Sequence, residues 1–215
     1  MTPSRSTPPL TPDTGTRRRW LGRALSGILA GAMLAAAPGL HAADDTVTVA
    51  GQPFVRRLQL AGSELQLNGT GVRGWYKAYA AGLYLVQPSR DPARVAAQPG
   101  PKRLQLRMRF DLPASAFASA FRTGVLRNVA PAEAARLEPR IADFEARVRA
   151  LGTVRDGDVI DLDQIPGRGL LFSVNGRPQG APIEGDDFYA ALLLAFVGDK
   201  PYDDKLKAGL LGGAA

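Results

Sequence analysis

The sequence predicts an α+β fold, an antiparallel sheet with helices layered against one face, and three observations lead there. Short apolar or alternating segments punctuated by glycine and proline fill residues 46–110, and two longer segments with helical periodicity follow over 112–151. A hairpin signal and two closing helices then complete the chain. Strands first, helices in the middle, then a hairpin group and helices are the order expected of a sheet with its helices on one side.

Taken in turn, residues 46–49 and 54–60 read as strands and 64–67 alternates. Residues 67–87 read as one long strand. By its two-residue period Trp75, Lys77, Tyr79, Ala81 and Leu83 share one face, and Tyr76, Ala78, Ala80 and Tyr84 share the other. Both faces are mostly apolar, as in a strand covered on each side. Gly69, Gly71, Gly74 and Gly82 mark places for a turn, a bulge or the close approach of another backbone. Asp91 reads as the N-cap and Pro92 as the first residue of a short helix over 92–97, which Gly100-Pro101 stops.

Residues 102–110 place Leu104, Leu106, Met108 and Phe110 on one face and Arg103, Gln105, Arg107 and Arg109 on the other, a half-buried strand with a solvated basic face. The helix over 112–129 carries Phe117, Phe121 and Val125 at helical spacing. That over 132–151 carries Leu137, Ile141, Phe144, Val148 and Leu151, with Pro131 tolerated at its start. These stripes read as core packing. Residues 158–165 and 170–174 form a hairpin, and Asn175-Gly176 turns tightly into 177–180. Asp158, Asp161 and Asp163 lack calcium-loop spacing and read as a solvent face. Asp186 or Asp187 is expected to cap a helix over 188–197, and residues 203–210 supply the last one.

Residues 1–42 read as an export leader. TRRRWLGR precedes an apolar run over 24–37 and a small-residue cleavage signal at Leu40-His41-Ala42. The run is shorter than the roughly 20 apolar residues that span a bilayer. Arg17-Arg18-Arg19-Trp20-Leu21 resembles the twin-arginine signal, with Trp where Phe is usual; an ordinary secretory leader is the alternative. Either route assigns residues 43–215 to the periplasm as one domain, without a membrane anchor once the leader is cleaved near Ala42. No cysteine is present, which excludes disulfides and lipid attachment at a cysteine.

Five arginines and one aspartate fall within the leader, so the remainder carries a net charge of +3 against +7 for the whole chain. The basic balance is therefore no argument for a nucleic-acid partner. The single histidine, His41, leaves as well. Without His or Cys, nucleophilic triads and the usual zinc, copper or haem ligands are excluded, and no cofactor is expected.

LNGTGVRGWYKAYAAGLYL, residues 67–85, and IEGDDFYAALLLAFVGDKPYDDKLKAGLLG, residues 183–212, resemble the chalcone isomerase family in its bacterial exported branch. Plant isomerases are similar in carrying Gly-x-Gly-Val-Arg-Gly and, further on, Gly-Val-Tyr-Leu. The resemblance covers the chain from about residue 47 onward. It implies an open-faced β-sandwich whose ligand cleft lies between sheet and helices. It also implies that Arg73 stands at the mouth of that cleft, where its planar fork of donors suits a carboxylate. Read from the residues alone, Arg73 is better taken as an arginine that pairs with a neighbour or reaches solvent, as most arginines do. Tyr79 matches the position of the plant enzymes' catalytic threonine, where fatty-acid-binding relatives are similar in having a tyrosine. Tyr76, Lys77 and Tyr84 are further ligand-binding candidates on the same strand.

The departures matter too. Plant isomerases group a Tyr, a Lys and an Asn on one helix, and the comparable helix here, read as 131–148, has none of them. Losing one electrostatic donor costs about a hundredfold or more in rate. The expected function is thus a periplasmic, non-catalytic binder of a fatty acid or similar apolar carboxylate. The alternatives are a cofactor-free isomerase, an intramolecular lyase acting on a chalcone-like ketone, and a partner-binding domain of the envelope.

Overall fold

The computed structural model describes residues 45–74 and 78–213. The expected leader over 1–42 and the candidates Tyr76 and Lys77 lie outside the described residues. A hairpin of β1 (Thr46–Val49) and β2 (Gln52–Val55) precedes a seven-stranded antiparallel sheet of β3 (Arg57–Leu60), β4 (Ser63–Val72), β5 (Tyr79–Leu85), β6 (Lys102–Met108), β9 (Val159–Ile165), β10 (Gly169–Val174) and β11 (Arg177–Pro178). The spatial order is β11-β10-β9-β6-β5-β4-β3. A two-stranded pair, β7 (Leu112–Pro113) with β8 (Thr153–Val154), brackets helices α2 (Ala114–Asn128) and α3 (Pro131–Arg149). α1 (Pro92–Ala97), α4 (Asp186–Val197) and α5 (Asp204–Leu210) complete the set.

The expected α+β arrangement is therefore present, and several elements match in detail. Asp91 caps α1 by accepting from the amides of Ala93 and Arg94, with Pro92 at its first turn. Asn175 and Gly176, at φ of 50° and 73°, turn β10 into β11 as a two-residue primed turn requires.

Other expectations are corrected. Residues 67–87 are not one strand: β4 and β5 are antiparallel partners, Val72 opposite Ala80, joined through Gly74 at φ 74°. Two alternating segments around a turn carry the same period as one long strand, so only the glycine distinguishes them. The 54–60 strand breaks at Arg56 into β2 and β3, which join different sheets. The N-cap of α4 is Gly185, and neither Asp186 nor Asp187 caps it. Asp187 instead forms a two-pronged ion pair with Arg140 of α3 at 2.6 and 2.8 Å.

The sheet has two unlike faces. Leu83, Leu104, Leu106, Met108, Leu162 and Phe172 point toward the helices, where Phe121, Phe144 and Phe188 meet them. Phe144 lies 4.3 Å from Phe121 and 5.2 Å from Phe172 between ring centroids. Burying each such ring contributes roughly 1.5–3 kcal/mol. Phe110 departs from the face assigned to it, being half exposed beyond the end of β6.

The opposite face is polar yet largely buried, which overturns the solvated reading of both the basic and the acidic rows. Arg103 grips Asp163 through two 2.6 Å hydrogen bonds and approaches Asp161 at 3.6 Å. Gln105 donates to Asp161 at 2.8 Å, and Arg107 donates to Gln105 and stacks 5.4 Å from the ring of Phe54 on β2. Register explains the match: Arg103 lies opposite Asp163 and Gln105 opposite Asp161 on adjacent strands.

Candidate functional site

The glycines of the GTGVRG segment act first as a seat. A Cβ on Gly69 would strike the carbonyl of Gly209 and lie 2.7 Å from both the carbonyl of Leu210 and the amide of Gly212; one on Gly71 would meet Leu206 at 3.0 Å. Only bare backbone lets α5 approach β4 so closely. A bulge between Leu67 and Gly69 turns Asn68 toward the same helix, where it donates to the Leu210 carbonyl at 2.7 Å.

Docking α5 carries Tyr202 and Asp203 to Arg73. Asp203 caps α5 through the amides of Lys205 and Leu206 and accepts from the Gly74 amide at 3.0 Å. Burial pushes its carboxyl up, but those three amides and the nearby charge of Arg73 outweigh it and hold the group below the usual aspartate range. The Arg73 guanidinium stacks 4.7 Å from the centre of the Tyr202 ring and donates a long 3.5 Å hydrogen bond to the Tyr79 hydroxyl. Gly124 of α2 makes room for the Tyr202 ring, which a Cβ there would strike, and Phe196 of α4 meets it edge-on at 4.9 Å.

These groups border an apolar cavity of about 130 Å3. Its walls are Ala78 and Tyr79 from the sheet, Ala116, Phe117, Ala120 and Phe121 from α2, and Phe196 of α4. Arg73 and the two phenols are its polar fittings. Among the described residues no carboxylate lies within 4 Å of the Arg73 guanidinium, so most of its fork of donors is open to a ligand. Burial, with some help from Tyr79, pushes the Tyr202 phenol well above its ordinary pKa, while Arg73 pulls the other way. At neutral pH Tyr202 is a proton-bearing phenol that donates hydrogen bonds; it is no base.

The structure thus brings Arg73 and Tyr79 together and separates Tyr84 from them. Tyr84 lies on the polar face of the sheet, fully buried, its hydroxyl without a partner among the described residues. Burial pushes it up to about 12 although Arg107 and Arg103 oppose this. The strand period itself separates Tyr84 from Tyr79, five residues apart, onto opposite faces. Tyr202 was missed by sequence reasoning; its one cue is a place immediately before the Asp203 cap, within a segment that carried the family resemblance. The phenylalanine stripe of α2 is also more than core, since Phe117 and Phe121 wall the cavity.

The family model described as chalcone isomerase-like matches residues 46–212. The chain belongs to the chalcone isomerase-like family. Among solved structures, the chain is similar to a fatty-acid binding protein of Arabidopsis thaliana, with a TM-score of 0.60 at 15% identity over 77% of this chain and 95% of that one. No curated protein sequence matches. At that identity the likeness shows the fold, an open-faced sandwich of curled antiparallel sheet and helices.

Within this chalcone isomerase-like protein the helix facing the cavity is α2, whereas the comparison with the plant enzymes was drawn on α3. α2 reads ASAFASAFRTGVLRN and has neither Tyr nor Lys. Its one Asn, Asn128, binds the carbonyls of Gly124 and Lys200 at the helix end, away from the cavity lining.

Proposed function

We propose that this protein is a non-catalytic, exported binder of a small amphipathic molecule, a fatty acid or similar apolar carboxylate. The observation that carries the reading is Arg73, a guanidinium without a carboxylate partner among the described residues, at the mouth of an apolar cavity with two phenols beside it. Pockets that are mainly apolar with a few convergent polar groups suit such a ligand. The solved relative's description as a fatty-acid binding protein supports the same class. The cavity also counts against a pure partner-binding domain, whose cleft would be filled by side chains.

Isomerase chemistry finds less support. Cyclising a chalcone needs a positioned phenolate and a polarised ketone. The described cavity lining offers no lysine or histidine, and its Tyr202 stays protonated. The leader reading over 1–42 places the binder in the periplasm.

Native mass spectrometry of protein recovered from the periplasm tests the proposal. The expected result is a co-purified acyl or similar carboxylate, absent from an Arg73→Ala variant. An empty protein that also fails to bind a panel of fatty acids in a displacement assay would overturn it. Recovery of the protein only with its leader, in the cytoplasm, would overturn the location.

A further inference from the structure

Beside the apolar cavity lies a second, more open cleft of about 280 Å3, bordered by Arg73, Ser119, Ala120, Thr123, Arg127 and Tyr202. Arg73, Ala120 and Tyr202 border both spaces, so the stacked Arg73–Tyr202 pair partitions an apolar chamber from a polar vestibule. Either space alone falls short of the roughly 300 Å3 at which small-molecule sites begin; the two joined exceed it. The inner chamber resembles the cavities of about 150 Å3 that hold one benzene. It suits the end of a tail rather than a whole amphiphile.

The vestibule's chemistry follows from the period of α2. Ser119, Thr123 and Arg127 stand four residues apart on one face of that helix, while Phe117 and Phe121 serve the chamber. Thr123 spends its proton on the Ser119 carbonyl at 2.9 Å, which leaves the Ser119 hydroxyl, the Tyr202 phenol and two guanidinium groups as the donors among the described residues. Among the described residues no acidic side chain borders the cleft. Asp203 offsets part of the Arg73 charge but spends its oxygens on three backbone amides. Arg127, exposed in the last turn of α2, has no carboxylate within 4 Å among the described residues. A cation there complements the helix dipole. The dipole does not require it to border a cleft shared with a second arginine that also lacks a close carboxylate. Two such cations around one concavity favour an anion between them, and guanidinium forks match the oxygens of carboxylates and phosphates.

Resting on the amphiphile reading of the cavity, we infer that the vestibule seats the ligand's head group, that Arg127 is its second contact beside Arg73, and that the head is an oxyanion, a carboxylate or a phosphate monoester. The test is calorimetric titration of the full chain with octanoate, octyl phosphate and octanol, on the unaltered protein and on Arg127→Gln, Arg73→Gln and Arg168→Gln variants. Arg168 lies exposed in the β9–β10 turn and controls for the lost charge.

The expected result is that Arg127→Gln weakens an octyl anion about tenfold, as loss of a charged hydrogen bond does, while octanol binding changes less than about twofold and Arg168→Gln leaves all three unaltered. A loss confined to octyl phosphate assigns the head as a phosphate monoester; a loss for octanoate assigns a carboxylate. Unchanged anion binding in Arg127→Gln beside a loss in Arg73→Gln would overturn this inference and leave the amphiphile reading standing. Failure of the unaltered protein to bind any of the three probes would overturn both.

Discussion

Arg103 and Arg73 stand on the same antiparallel sheet and do opposite things. Arg103, on the polar face, meets a buried carboxylate directly across the ladder and holds it with two short hydrogen bonds. Arg73, at the edge of the helical face, meets an aromatic ring, a distant phenol and an apolar cavity. An arginine whose charge is answered by its neighbours serves the fold, whereas one left unanswered beside a cavity is available to a ligand. The difference lies in register: Asp163 falls opposite Arg103, while Arg73 follows the last ladder pair of β4, where its backbone bonds to Ala78 and Tyr79 and it meets a phenol instead of a carboxylate.

The largest effect tests the first half of that contrast. Asp163→Ala leaves Arg103 buried beside only a distant Asp161, and removing one partner of such a pair costs about 3–5 kcal/mol. Chemical denaturation should report that loss, with octanoate affinity of the surviving folded fraction unaltered. A loss below about 1 kcal/mol would mean that the polar face is open to water and that the contrast is false.

Next comes the seat beneath the site. Gly69→Ala places a methyl against three backbone atoms at the end of α5 and just past it, which cannot rotate away. Overpacking of this kind costs about 1–3 kcal/mol or more, and in a domain of this size each kcal/mol lowers Tm by about 2–4 °C. Because α5 positions Tyr202 and Asp203, ligand affinity should fall together with Tm. Loss of stability with affinity intact would show that Arg73 works without them.

Two tyrosines on opposite faces sharpen the comparison at smaller cost. Tyr84→Phe removes a buried hydroxyl that has no partner, so stability should stay within about 1 kcal/mol or rise. Tyr79→Phe removes the hydroxyl that Arg73 approaches, and ligand affinity should fall with stability little changed. The reverse pattern would exchange the roles of the two faces.

Asp203 supplies the smallest effect. Its folded pKa lies below the ordinary value near 3.9, so its contribution is complete at neutral pH and fades as pH falls through the folded value, below about 4. Asp203→Asn should flatten that acid limb of the stability profile. An unchanged limb would assign it to other carboxylates, with Asp187, held low by Arg140, the first to examine.

Local chemistry was legible in the sequence where one segment carries its own reason. Asp91 before Pro92 specifies a capped helix start, and Asn175-Gly176 specifies a primed turn, whatever surrounds them. Arg73 was legible only through family resemblance, since its residue type alone fits a surface ion pair better. What stayed hidden depends on partners far away in the chain. Asp161 and Asp163 alternate like a solvated strand face, and nothing near them announces arginine and glutamine about 60 residues earlier. Tyr202 has no periodic signature, because a short link between helices rather than a helix or strand presents it. Residues 67–87 read by one two-residue period with both faces mostly apolar, so the turn that divides β4 from β5 was masked by the very pattern that identified them as strand.

The joint between Gly74 and Asp203 spans 129 residues of chain. In kinetic terms, the partition wall of the cavity is a contact of very high sequence separation, made after most of the loop-closure entropy has been lost. The sheet can complete its ladders before α5 arrives, but the cavity has no wall at Tyr202 until it does. During refolding, recovery of sheet signal should therefore precede recovery of ligand binding, which makes binding a late reporter of the finished molecule.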